Sequence, residues 1–302
     1  MKLTKMNISK PINLLLSTII LLIFSNSSFG QKLEPKERIT EPDHTISSQL
    51  MGKDYQLYIS FPKSYSTKDT ISYPVLYVLD GRYAFPLIKG TKDALELGNE
   101  IEDVIIVGIG SGLNLPSWFI NRTYEYTTSI DTTSDRNMEK QFGFPAGALK
   151  SGGADEFLKS IKTEIIPFVD KHYKTNSDRG IAGHSLGGLF SAYCLINSDG
   201  YFTRFGISSP SLWWDKEKLL NKAVSQFTTN ESFDIPATKV FISVGENEGT
   251  MMVPVMEKLR LTLENADYEN INLNWQIFDG ESHLSVWPAS ISKTITTLYG
   301  NK

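Results

Sequence analysis

The stretch Gly180-Ile181-Ala182-Gly183-His184-Ser185-Leu186-Gly187-Gly188-Leu189-Phe190 decides how the rest of the chain is read. Gly180 to Gly183 ends a short strand, and Leu186 onward begins an amphipathic helix running to about residue 197. Between them a single serine stands on a glycine-flanked turn, in the pattern G-x-S-x-G. A serine on so sharp a turn is held with its hydroxyl clear of the sheet, while the glycines let the backbone bend and the helix pack close. The helix N-terminus beneath it favours developing negative charge. The pentapeptide also arises by chance, as a tight turn with an incidental serine. The strand–turn–helix setting is what gives it weight.

Outward from this turn, short apolar runs alternate with longer amphipathic ones. Strands are expected at Asp54 to Phe61, Tyr73 to Asp80, Val104 to Ile109, Gly180 to Gly183, Phe205 to Ser209, Val240 to Val244 and Leu273 to Phe278. Helical patterns fall at about 156–172, 186–197, 251–266 and 284–298. Strands alternating with helices imply βαβ units, hence one α/β domain with a mainly parallel central sheet flanked by helices on both faces. The earliest strands, before the alternation settles, are expected to form an antiparallel edge. No internal repeat or linker divides residues 31–302. Ser111 to Gly153 has no sustained period and carries Trp118, Phe119, Tyr124, Tyr126, Phe142 and Phe144. It reads as an irregular, lid-like insertion facing a substrate, since long loops in compact domains are commonly functional.

The 302 residues are enough for one large core. The first thirty differ in kind: Lys2, Lys5 and Lys10, then an apolar run from Ile12 to Phe24, then small and polar residues ending Ser28-Phe29-Gly30. This is the pattern of a cleaved secretory signal, and the run is short for a membrane span. A secreted or periplasmic protein is expected, with no stable membrane insertion after cleavage. Removing three lysines and no acid leaves 27 basic against 34 acidic residues, a net −7. So acidic a domain has no general attraction for nucleic acid or anionic lipid. Cys194 is the only cysteine, which excludes an internal disulfide. Its apolar neighbours make it a small buried hydrophobe.

A serine hydroxyl needs a base, and the chain has four histidines. His184 adjoins the serine and reads as a packing residue; His172 ends a helix, and His44 lies near the mature N-terminus. His283, in Gly280-Glu281-Ser282-His283, follows the last strand and precedes the last helix. Strand ends converge at that edge of such a sheet, so His283 is the expected base. An acid should follow the penultimate strand, where Gly245-Glu246-Asn247-Glu248 lies. Spacing favours Glu248, with Glu246 the alternative. The oxyanion of a tetrahedral intermediate needs two N–H donors. Leu186, after the nucleophile, supplies one; Asp80-Gly81-Arg82 offers the other, through Arg82 or alternatively Gly81.

With these residues in place, the chain resembles the Putative esterase branch of the α/β-hydrolases. That branch includes siderophore trilactone esterases, S-formylglutathione hydrolases, feruloyl and acetyl xylan esterases, and mycolyltransferases. The matching stretches are Tyr73 to Gly81, Asn121 to Thr127, Phe157 to Tyr173, Gly183 to Phe190, Ser209 to Asp215, Gly245 to Glu248 and Gly280 to His283. Ser209-Pro210-Ser211-Leu212-Trp213-Trp214 is most similar to the siderophore-esterase subgroup. Glu125 stands where the family pattern often has aspartate. The resemblance implies an α/β-hydrolase fold and a serine esterase working through an acyl-enzyme. By it, Ser185 is nucleophile, His283 base, Glu248 acid, and the Arg82 and Leu186 N–H groups the oxyanion hole.

Three further residues are candidates for substrate binding. Trp213 and Trp214 follow the sixth strand and either wall a pocket or join the core. Arg122 either holds an anionic substrate group, as a guanidinium fork suits carboxylate or catecholate, or pairs with Glu125 to pin the loop. No metal-ligand spacing, phosphate loop or dinucleotide fingerprint occurs, so neither metal nor cofactor is expected. The expected activity is hydrolysis of a small-molecule ester or lactone, siderophore-like in type. The alternatives are a feruloyl or acetyl carbohydrate esterase, or a catalytically silent binding module.

Overall fold

Runs of β-branched and aromatic residues form strands, and their burial pattern decides where in a sheet they lie. In the computed structural model, which describes residues 40–68, 70–229 and 235–301, eight strands form one sheet. The expected signal at residues 1–30 lies outside the described residues. The strands are β1 (His44–Ser48), β2 (Lys53–Ser60), β3 (Tyr73–Val78), β4 (Ile105–Ser111), β5 (Thr175–His184), β6 (Arg204–Ser208), β7 (Thr238–Gly245) and β8 (Ile271–Phe278). They lie in the order β1-β2-β4-β3-β5-β6-β7-β8. β1 and β2 form the antiparallel edge, and β3 to β8 are parallel. β3 and β4 are buried at every residue, whereas β8, at the other edge, is only partly covered.

Nine helices are described: α1 (Gly81–Leu97), α2 (Leu115–Tyr126), α3 (Thr132–Phe142), α4 (Ala154–Ser160), α5 (Ile166–His172), α6 (Leu186–Asn197), α7 (Trp214–Thr229), α8 (Gly249–Ala266) and α9 (Val286–Tyr299). A π-turn over Ile161–Ile165 joins α4 to α5. α1 and α9 cover one face through Phe85, Ile88, Ile295 and Leu298, packed on Leu76, Val78 and Ile106. The opposite face is covered through Phe157, Val169, Phe190, Leu220 and Leu259, packed on Val75, Tyr77 and Ile181. The two-faced α/β-hydrolase architecture is as expected. Cys194 is fully buried in α6, where burial pushes its thiol up.

Sequence patterning does not anticipate α1 or α7. Pro86 and Gly90 interrupt α1, and the first turn of α7 has left-handed backbone at Asp215, Lys216 and Glu217. The insertion at 111–153 is corrected more substantially. It holds two capped helices, not an irregular loop. Asn114 caps α2 by accepting from Ser117 N at 2.9 Å, and Asp131 caps α3 by accepting from Thr133 N at 3.0 Å. The residues these helices bury are largely polar: Arg122, Thr123 and Glu125 on α2, Asp135 and Glu139 on α3. An apolar stripe therefore never forms, and hydrophobic periodicity has nothing to report.

Register carries the site. His184 lies opposite Ser208, and Gly245 opposite Phe278. The turns after β3, β5, β6, β7 and β8 thus emerge at one edge, the carboxyl ends of the parallel strands. α1 begins directly at that edge because its first residue is glycine. A Cβ at Gly81 would lie 2.6 Å from the Gly108 carbonyl carbon and 2.7 Å from Ile109 N. We expect Gly81→Ala to cost at least about 1–3 kcal/mol by overpacking. Gly90→Ala, in the same helix with nothing within 4 Å of the new methyl, should gain roughly 0.5–1 kcal/mol. Urea unfolding of the two variants checks the contrast.

Candidate active site

The turn between β5 and α6 places Ser185 at φ 63° and ψ −120°, a conformation that few non-glycine residues adopt. Three backbone bonds hold it: Ser185 N to Ser208 O at 3.0 Å, Leu189 N to Ser185 O at 2.9 Å, and Ser211 N to Ser185 O at 3.1 Å. A Cβ at Gly183 would lie 2.4 Å from the backbone of Gly187, so the turn closes only around glycine.

The loop after β8 brings His283 to the serine. Its Nε2 lies 3.0 Å from Ser185 Oγ, and its Nδ1 lies 2.5 Å from Glu248 Oε2. The other Glu248 oxygen accepts from Ser209 Oγ at 2.6 Å and Gly245 N at 2.8 Å. Burial works against this carboxylate, but the bonds from His283, Ser209 and Gly245 outweigh it and hold its pKa below the usual carboxylate range. Of the two glutamates, Glu248 alone meets the imidazole. Glu246 instead accepts from Gly280 N at 3.0 Å. Asn247 between them binds Glu281 O through its backbone N–H and Gly280 O through its amide, both at 2.9 Å. All three residues of the turn therefore work on the histidine loop: one at the ring, two at its backbone.

Arg82 and Gly81 occupy the first turn of α1, and Leu186 begins α6. First-turn N–H groups have no acceptor within their own helix, so those of Arg82 and Leu186 are suited to an incoming oxyanion. Asp80, just before them, has φ 55° and is bound at nearly every polar atom. Its N–H donates to Tyr126 Oη at 3.0 Å, and its Oδ1 accepts from Trp118 Nε1 at 2.8 Å. Arg122 closes a two-point ion pair, Nε to Oδ1 and Nη2 to Oδ2, both at 3.0 Å.

Arg122 thus departs from both expectations. It is 7 % exposed, stacked on the rings of Trp118 and Tyr126, and matched to Asp80, so it offers no free fork to an anion. It does not pair with Glu125 either. Glu125 is bound by Lys53 Nζ at 3.2 Å, Tyr55 Oη at 2.9 Å and Ser111 Oγ at 2.8 Å. The two tryptophans separate. Trp213 lines the cleft beside Ser185. Trp214 is corrected to a core residue, 1 % exposed, with its Nε1 donating to Ser129 O at 3.1 Å. Its indole would have no partner for that N–H if it faced an apolar pocket.

Sequence reasoning missed Asp80 as the partner of Arg122, Ser209 as a support of Glu248, and Trp287. Asp80-Gly81-Arg82 is read from the sequence only as a source of backbone N–H groups, and nothing in it points to Arg122. For Ser209 the signals were its place after the sixth strand and its membership of the Ser209–Asp215 stretch, neither of which points to Glu248. His184 was expected to pack, and it does: its ring stacks on Trp287 at 5.2 Å and 12°, and faces His283 at 4.7 Å. Among the described residues no group of three or more His, Cys, Asp or Glu side chains could hold a metal ion.

The family described as Putative esterase matches residues 48–297. The chain belongs to that family. It is similar to the apo-salmochelin esterase of Escherichia coli O6:H1, at 26 % identity over 82 % of this chain and 76 % of that protein. It is also similar to the ferri-bacillibactin esterase BesA of Bacillus subtilis, at 26 % identity over 83 % of this chain and 86 % of that one. The solved structure of the BES protein from Bacillus cereus superposes with a TM-score of 0.74 at 29 % identity, covering 88 % of this esterase and 99 % of that chain. Membership makes the chain a hydrolase that acts on esters.

Burial holds the His184 imidazole well below its ordinary pKa in this esterase, with His283 and Arg122 adding to the effect. Below about pH 6.5 the unfolded chain takes up a proton there that the folded chain refuses. Stability should therefore fall on acidification by up to about 1.4 kcal/mol per pH unit, until the depressed folded value is reached. Urea midpoints measured between pH 7 and 5 should show that slope reduced by this amount in His184→Phe.

Proposed function

We propose that this esterase is an exported serine carboxylic-ester hydrolase that works through an acyl-enzyme on Ser185. The observation that carries the reading is the continuous hydrogen-bonded line from Ser185 Oγ through His283 to Glu248. Export rests on the signal pattern of the first thirty residues.

Ser185 attacks the ester carbonyl carbon while His283 Nε2 takes its proton. Glu248 accepts from Nδ1–H, which fixes the tautomer and stabilises the imidazolium without itself taking a proton. The carbonyl oxygen, now an anion, is received by the Arg82 and Leu186 N–H groups. His283 then protonates the departing alcohol, and the acyl group stays on Ser185. Water enters, gives its proton to His283 and attacks the acyl carbon. The acid leaves, and the proton returns to Ser185.

The names of the relatives support a siderophore-type ester or lactone as substrate. A feruloyl or acetyl ester on a carbohydrate is the second reading, favoured by the aromatic wall of Trp118, Phe119 and Phe144 over Ser185. Hydrolysis of enterobactin against release of ferulate from arabinoxylan separates the two. A silent binding module would have no use for the aligned relay.

Ser185→Ala should lose hydrolysis of p-nitrophenyl acetate with its circular dichroism unchanged; retained turnover would sink the assignment. Glu248→Gln should lower kcat by about 10²–10⁴-fold. Glu246→Gln, whose partner is a backbone N–H of the histidine loop, should have a much smaller effect. Equal losses in the two glutamine variants would count against Glu248 as the orienting acid.

A further inference from the structure

Ser185 sits where two lobes of a cleft meet. One lobe, about 670 Å³, is walled by Leu115, Trp118, Phe144, Leu284 and Trp287. The other, about 630 Å³, is walled by Met138, Trp213, Met251 and Met252. Phe119, Arg122, Phe142, Ser185 and His283 border both. The rings of Phe119 and Phe142, 4.7 Å apart, form an aromatic ridge at the junction. An ester with its carbonyl at Ser185 must put its acyl part on one side of that ridge and its alcohol part on the other. Each lobe is large enough for a substantial organic group.

The charge on these walls is matched within the walls. Arg122 is the one lysine or arginine among the described lining residues, and its fork is closed on Asp80, which lines the same lobe. Glu248 adds a carboxylate behind His283. The apolar lining continues to the rim, where Leu115, Phe142, Met251 and Leu284 are all more than half exposed. An anionic substituent entering either lobe would exchange its hydration for largely apolar side chains, a cation that is already paired and, in the second lobe, the uncharged Gln141, Ser211, Asn247 and Ser282.

We infer that the cleft selects uncharged esters carrying a bulky apolar or aromatic group on each side of the scissile bond, and disfavours the same esters bearing an anionic substituent. This names the substrate class of the proposed ester hydrolase and rests on that reading. Phe119 and Phe142 are the specificity-determining pair, because they border both lobes and divide them.

The test uses two matched pairs of esters. On the acyl side, methyl 4-nitrophenyl terephthalate is compared with 4-nitrophenyl hydrogen terephthalate, which is ionised at neutral pH and whose para carboxylate cannot reach its own ester carbonyl. On the alcohol side, methyl 4-(butanoyloxy)benzoate is compared with its free carboxylate. After correction for the rate with hydroxide, kcat/KM should favour the neutral member of each pair by at least about tenfold, mainly through KM. Equal or faster hydrolysis of either anionic member would overturn the proposal. Hydrolysis of no member would instead strike the ester-hydrolase reading itself. Phe142 ends α3, where the helix dipole tolerates a cation. Phe142→Lys should therefore narrow the neutral-over-anionic ratio several-fold relative to Phe142→Gln, and added salt should restore it. A ratio identical in the two variants at low salt would show that the walls do not set the discrimination, and would overturn the proposal as well.

Discussion

A serine at φ 63° is a strained residue, and everything at the carboxyl edge of the sheet is arranged around keeping it there. Such a backbone costs about 1–3 kcal/mol and persists only where its surroundings over-determine it. Here they do: β6 and the turn after it bind the serine backbone on both sides, and Leu189 N, at the start of α6, donates to its carbonyl. The same turn after β6 carries Ser209, which at φ 43° reaches across to Glu248. The strain at Ser185 and the orientation of the distant Glu248 are thus held by neighbouring residues of one turn.

The second constraint is the Asp80–Arg122 pair. Two buried charges gain little over apolar packing as a source of stability, but losing one partner leaves the other stranded. What the pair does is geometric. It ties α2, out in the insertion, to the residue that precedes the first turn of α1, and Arg122 Nη2 also reaches His184 O at 3.4 Å beside Ser185. The wall of the cleft and the N–H groups proposed for the oxyanion therefore share one anchor. The pairing also sets the character of the cleft, since it neutralises the one guanidinium among its described lining residues.

Much of this was legible in the sequence because it depends on local pattern. Strands β3 to β8 announce themselves as short apolar runs, and the glycine-flanked serine and the histidine after the last strand need only chain order to be found. Spacing ranked Glu248 above Glu246 without separating them, because both sit in one short turn and only the folded turn aims one inward and the other at Gly280 N. Trp213 and Trp214 fail for the same reason: adjacent residues at a helix start point in different directions. The helices of the insertion are hidden for another reason. They bury arginine, glutamate and aspartate against specific partners, and a partner 42 residues away, as Asp80 is from Arg122, leaves no periodic trace.

The proposed chemistry depends on one atom, Ser185 Oγ, being the activated nucleophile. The most direct measurement is the mass of the intact protein after exposure to a fluorophosphonate, followed by peptide mapping. A single adduct on Ser185, formed slowly or not at all in His283→Ala, is the predicted result. An unmodified wild-type protein, or an adduct mapped to any other residue, would contradict it.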